Sequence, residues 1–221
     1  MPEPIAGPAL VVVDALELPA EYRALLRPGE CVPDGQGRAR RLPRHFFEID
    51  SWRTARKLRL TPDFTLSEFI SVDVREAELL RGFPRYVPCA VTLLAAQLQR
   101  FRDVVGAPVH IAANGGYRSP AHALSTQASP HQWACAVNIY RIGDELLDEQ
   151  ETIERYNAIA LSAVPGLWAR PYGHGAGFAD DHVHLDIGYV TVVPRDAASE
   201  LEVELRVIGT SSALAPAPDG A

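Results

Sequence analysis

Residues 115–140 read GGYRSPAHALSTQASPHQWACAVNIY, and residues 172–188 read YGHGAGFADDHVHLDIG. The first stretch holds Arg118 just after a Gly-Gly-Tyr turn and His131 on a Ser-Pro approach. The second holds the cluster DHVHLD at residues 181–186. Those residue types meet in metal-assisted hydrolysis, where imidazoles hold Zn2+, a carboxylate takes a proton and a guanidinium clamps an anion.

The two stretches also carry strand patterns. His182, His184 and Asp186 alternate with Val183, Leu185 and Ile187, so one strand face bears three ionisable groups. Solvated strand faces more often carry Thr, Lys or Glu, so this one reads as functional. In residues 134–140, Cys135, Val137 and Ile139 share one face and Ala134, Ala136, Asn138 and Tyr140 the other. Asn138 thus sits on a face otherwise kept small, which suits a site that something else must enter.

Outward from there, the apolar spacing sets the frame. Val91, Leu94, Leu98, Phe101 and Val105 recur at helical steps and Gly106 supplies a stop, predicting a core helix over residues 88–105. Thr65 and Glu68 form a capping box that opens a short helix. A strand is expected at 109–114, and a second helix at 149–164 with Ile153, Tyr156, Ala160 and Val164 on one stripe. Residues 9–13 suit a strand, residues 166–177 are rich in turn formers, and residues 200–208 alternate as a half-buried strand. The arginine-rich segment VPDGQGRARRLPRH, residues 32–45, reads as a solvated loop, with an anion-binding patch as the other reading. The expected organisation is an N-terminal extension over 1–62, an α+β domain over 63–208 with a mostly antiparallel sheet flanked by helices, and a disordered tail over 209–221.

A chain of 221 residues, 47% of them hydrophobic, is long enough for one core with extensions. A net charge of −7 argues against a nucleic-acid partner. No apolar run approaches the ~20 residues of a membrane span. The start MPEPIAGPALVVVD lacks a basic n-region, so it does not read as an export signal, and the product is expected in the cytoplasm as synthesised. Cys31, Cys89 and Cys135 are odd in number and widely spaced, and read as reduced thiols.

The motifs, taken in order, resemble the zinc D-alanyl-D-alanine carboxypeptidases and related peptidoglycan endopeptidases, whose fold the Hedgehog signalling domain shares. The resemblance covers residues 63–190. It rests on FTLSEF at 64–69, GYRSP at 116–120, SPHQWACAVN at 129–138 against the family's S-x-H-x-x-G-x-A-x-D, and a carboxylate three residues before a His at Asp181 and His184. It implies His131 and His184 as zinc ligands with Asn138 at the third ligand position. It also implies Asp181 as the base for a zinc-activated water and Arg118 as the group that binds a substrate carboxylate or the oxyanion. His182, Asp186 and Ser129 would support the ligands or touch substrate. The chain departs from the pattern in three places. Asn138 replaces an Asp, Ala134 replaces a Gly, and the loop before His131 is shorter and lacks a Gly-Gly. The Asn carbonyl is neutral and a poorer match to Zn2+ than a carboxylate.

Two functions are therefore expected. The first is a zinc peptidase cleaving bonds next to D-amino acids in peptidoglycan-type peptides. The second is a module with a weakened metal site that binds such a peptide or wall fragment without turnover. Without an export signal, three resolutions stand for either function: release on lysis, a signal-independent route to the cell wall, or a substrate outside the wall.

Overall fold

The computed structural model describes residues 10–175 and 179–195. Its early strands are β1 (Val11–Asp14), β2 (Cys31–Pro33), β3 (Ala39–Arg41), β4 (His45–Glu48) and β5 (Tyr86–Pro88). The later ones are β6 (Val109–Ile111), β7 (Ala136–Ile142), β8 (Glu145–Leu146), β9 (Trp168–Ala169) and β10 (Val183–Asp186). Helices α1 (Ala20–Leu26), α2 (Trp52–Lys57), α3 (Leu66–Phe69), α4 (Glu78–Gly82), α5 (Val91–Val105) and α6 (Gln150–Ala163) lie between them. Among the described residues the strands form three antiparallel sheets, ordered β1-β4-β5, β2-β3 and β6-β7-β10-β9, with β8 paired to β7. The chain is thus α+β with antiparallel sheets. No helix among the described residues is long and apolar enough to cross a membrane.

The helical spacing of α5 buries Val91, Leu94, Ala95, Leu98 and Phe101, and Gly106 ends the helix in the left-handed region at φ 70°. Fully burying the Val, Leu and Phe side chains among them contributes about 1.5–3 kcal/mol each. This face packs in one cluster with Val137 and Ile139 of β7, Val183 and Leu185 of β10, and Ile153 and Ala160 of α6. Thr65 and Glu68 form their capping box at the start of α3, the Glu68 carboxylate accepting from the Thr65 N–H at 2.6 Å.

Residues 10–62, read as an extension, contribute Ala15, Leu26, Phe46, Ile49, Ala55 and Leu58 to that same cluster. The link is β4, which pairs with β1 on one side and with β5, some forty residues downstream, on the other. The arginine-rich segment forms the hairpin β2–β3 instead of a solvated loop. Asp34 directs its turn and Gly37 adopts φ 76°. The expected strands at 200–208 and the tail at 209–221 lie outside the described residues. Cys31, Cys89 and Cys135 are free thiols, the last two buried.

Candidate functional site

Strand register brings the key residues together. Asn138 of β7 and His184 of β10 are directly opposed cross-strand partners, and Asp186 lies opposite Ala136, whose small side chain leaves room for it. His131 reaches the same place from a 3₁₀ turn, Pro130–Trp133, which Ser129 caps through a reciprocal arrangement with Gln132. The His131 and His184 ring centroids are 5.2 Å apart. The strand expected from residue 134 starts two residues later because Ala134 closes the 3₁₀ turn in the left-handed region, at φ 54°. A left-handed Ala is strained by its Cβ. Ala134→Gly is expected to stabilise the protein by about 1 kcal/mol, read as a rise in the urea midpoint.

Each imidazole is held from behind. His131 Nδ1 faces the Gly116 carbonyl at 2.8 Å. A carbonyl can only accept, so Nδ1 carries the proton and Nε2 keeps a lone pair. His184 Nε2 faces Asp186 Oδ2 at 3.1 Å, which places its proton there, and the second Asp186 oxygen accepts from the Gly188 N–H. A neutral His184 ring then turns its Nδ1 lone pair toward Asn138 Oδ1 at 2.8 Å. Two acceptors that close require a proton on Nδ1, an amide turned to offer its N–H, or a shared cation. Burial opposes the first. It lowers the pKa of His131 well below its ordinary value, helped by the charge of Arg118, and it lowers that of His184 against the pull of Asp186.

Arg118 follows the turn that supplies the Gly116 carbonyl, and its N–H donates to the His131 carbonyl at 3.2 Å. Its side chain is mostly buried, its Nε has no hydrogen-bond partner among the described residues, and burial lowers its pKa to about 10. A buried guanidinium N–H left without an acceptor suits a site whose acceptor comes with a ligand. Asp181 is placed differently from His131, Asn138 and His184. Its side chain is 71% exposed and its carboxylate accepts from His182 Nδ1 at 2.6 Å. His182 Nε2 in turn accepts from Arg170 Nη2 at 3.2 Å. His182 precedes β10, and it joins the site through Arg170 and Asp181.

A cavity of about 590 Å3 opens beside His184 and Asp186 and runs to the β2–β3 turn, passing Ser129, Trp168 and Tyr189. Sequence reading missed the hairpin wall, Trp168 and Arg170. The Asp-Gly at 34–35, a hairpin signal, could have revealed the first. The other two sit in or beside a two-residue strand inside a Gly/Pro-rich stretch, which carries no periodic signal.

No protein-family model, curated protein or solved structure matches this chain. The site is therefore argued from its own chemistry. Among the described residues no three His, Cys, Asp or Glu side chains gather as a set able to hold a metal. The residues closest to such a set are His131 and His184, 5.2 Å apart by ring centroid, with Asn138 facing His184 Nδ1 and Asp186 behind the same ring. Burial pushes the Cys89 and Cys135 thiols up to about 12, which keeps both protonated.

The buried histidines make stability depend on pH. Burial lowers the pKa of His122, His131 and His184, none of which is more than 8% exposed. The unfolded chain takes up their protons below about pH 6.5, while the folded chain does so only at lower pH. Stability is therefore full above about 6.5 and is lost as pH falls toward the depressed native values, by up to about 1.4 kcal/mol per pH unit for each unmatched proton. Urea midpoints should drop between pH 7.5 and 5.5, and a flat profile would contradict the burial of neutral rings.

Proposed function

We propose that this chain is a zinc-dependent peptidase of the D-alanyl-D-alanine carboxypeptidase and peptidoglycan endopeptidase type, acting on peptide bonds next to D-amino acids. One observation carries the reading: two buried imidazoles, each locked by an acceptor on one nitrogen, lie 5.2 Å apart by ring centroid, and the second, which faces Asn138, lines a cavity. Carboxylate and carbonyl partners of this kind fix the tautomer of metal-binding histidines. The order of the motifs along residues 63–190 supports it independently.

In this reading His131, His184 and Asn138 would hold the metal, which when bound would supply Lewis-acid polarisation of the scissile carbonyl. Asp181 takes the proton of the attacking water, and its exposure lets that water reach it. His182 orients the Asp181 carboxylate while Arg170 holds the far side of the ring. Arg118, whose Nε–H has no partner among the described residues, supplies its guanidinium to the negative charge that develops on the substrate. Asp186 keeps His184 in the tautomer the site needs. The alternative, a module that binds such peptides without cleaving them, is favoured by the neutral Asn138.

The test is elemental analysis of the purified protein for zinc, paired with cleavage of muropeptides bearing D-Ala or D-Glu junctions. The expected result is zinc and cleavage in wild type and neither in His184→Ala. Wild-type protein that stays zinc-free and inert under saturating zinc would overturn the peptidase reading.

A further inference from the structure

The cavity beside His184 is walled at its far end by the β2–β3 hairpin, from the part of the chain that precedes every candidate ligand. The hairpin is fixed to the segment that carries His131. The Ala128 N–H donates to the Pro33 carbonyl at 2.7 Å, and Trp133 Nε1 donates to the Arg41 carbonyl at 3.1 Å. Tyr189, edge-on to Trp133 at 5.0 Å, continues the wall.

Both carboxylates of this wall are already engaged. Asp34 accepts from the N–H groups of Gln36 and Arg38, both at 2.9 Å, and from the Nε groups of Arg38 and Arg40, both at 3.0 Å. Burial opposes its charge, yet these donors outweigh it and hold its carboxyl well below the usual range. The other wall carboxylate, Asp186, is engaged by His184 and Gly188. Two guanidiniums therefore surround one carboxylate at the turn, where Arg40 also lies over the Tyr189 ring at 4.5 Å. The Arg38 side chain is 60% exposed. A volume of about 590 Å3 falls within the range of ligand sites, about 300–1,000 Å3, and its lining runs from His184 to Arg38 of the hairpin.

We propose that this cavity is a peptide subsite that reads a side-chain carboxylate remote from the scissile bond, with the Arg38 guanidinium as its reader. The proposal rests on the peptidase reading for its orientation, since His184 marks the reacting end. The ligand class is a short acidic peptide. Its carboxylate supplies the acceptors that the wall's own carboxylates, already engaged, do not offer, and it matches the planar fork of Arg. Tyr189 and the partly exposed Trp168 flank the peptide backbone.

The test is calorimetric titration of the full chain, with zinc chelated so that nothing is cleaved. The probes are two synthetic pentapeptides ending in D-Ala-D-Ala, identical except that one carries Glu and the other Gln at the central position. The Glu peptide is expected to bind about tenfold more tightly or better, as one charge-assisted fork implies. Arg38→Gln should abolish that preference while leaving the affinity for the Gln peptide unchanged, and Arg38→Lys should keep part of it. Equal affinity for the two peptides overturns the proposal, as does no binding of either, or equal weakening of both by Arg38→Gln. A parallel cleavage assay with zinc separates the two readings. Carboxylate preference without cleavage retains the subsite and sinks the peptidase, and cleavage without preference does the reverse.

Discussion

Gly116→Ala is expected to cost about 4 kcal/mol or more, or to leave the chain unfolded. A Cβ built at Gly116 would lie 2.1 Å from the Phe69 carbonyl oxygen and 2.7 Å from its carbon. Those are backbone atoms, so no side chain can swing away. The same Phe69 carbonyl accepts from the Tyr117 N–H at 2.7 Å, which pins the turn to the end of α3. Phe69 is fully buried, so α3 cannot withdraw without opening the core. The damage would also reach the site, because the Gly116 carbonyl holds His131 Nδ1. Gly82→Ala is the control, since its added Cβ meets nothing within 4 Å, and it should change stability by less than about 1 kcal/mol. Urea unfolding of the pair measures the difference. A Gly116→Ala protein as stable as Gly82→Ala would mean that the turn does not lie against Phe69.

Asn138→Asp should tighten zinc binding by at least about 10–100-fold, the scale on which even indirect partners of a metal act. The substitution places a charged oxygen donor opposite His184 Nδ1, where a neutral carbonyl now stands at 2.8 Å. Competition against a chromophoric chelator measures the affinity, and muropeptide cleavage measures the consequence. If the chain is a working peptidase with a weak third ligand, activity rises or holds at limiting zinc. If the site binds peptides without turnover, metal affinity rises and hydrolysis stays absent. Unchanged zinc affinity would remove Asn138 from the metal site.

The elements closest to the candidate ligands were the most legible in the sequence. The face of Ala136 and Asn138 read as a small, open surface, and it receives Asp186 and His184 across β7 and β10. The apolar steps of α5 and the Thr65–Glu68 box are local signals, so tertiary structure had little to override. The arginine-rich segment was opaque for the opposite reason. A run of guanidiniums reads as a solvated surface unless its partner is known. Here the partner is one buried carboxylate, Asp34, together with a loop some ninety residues away. The union of β4 with β5 is also non-local, which is why residues 10–62 read as an extension although they build part of the core. The sequence places Asp181 near the candidate ligands, and only the structure reveals its link to His182 and, through it, to Arg170.

The backbone bond from Ala128 to Pro33 and the indole bond from Trp133 to Arg41 also have a kinetic meaning. Each closes a loop of roughly ninety residues or more, so neither can form early, when only contacts between near neighbours are gained cheaply in chain entropy. The helical framework can therefore assemble while the His131 segment is still open to water, and the cavity gains its far wall only when the hairpin arrives. Amide exchange should register this as one cooperative unit, with the amides of Ala128 and Leu42 opening together in a single sub-global event.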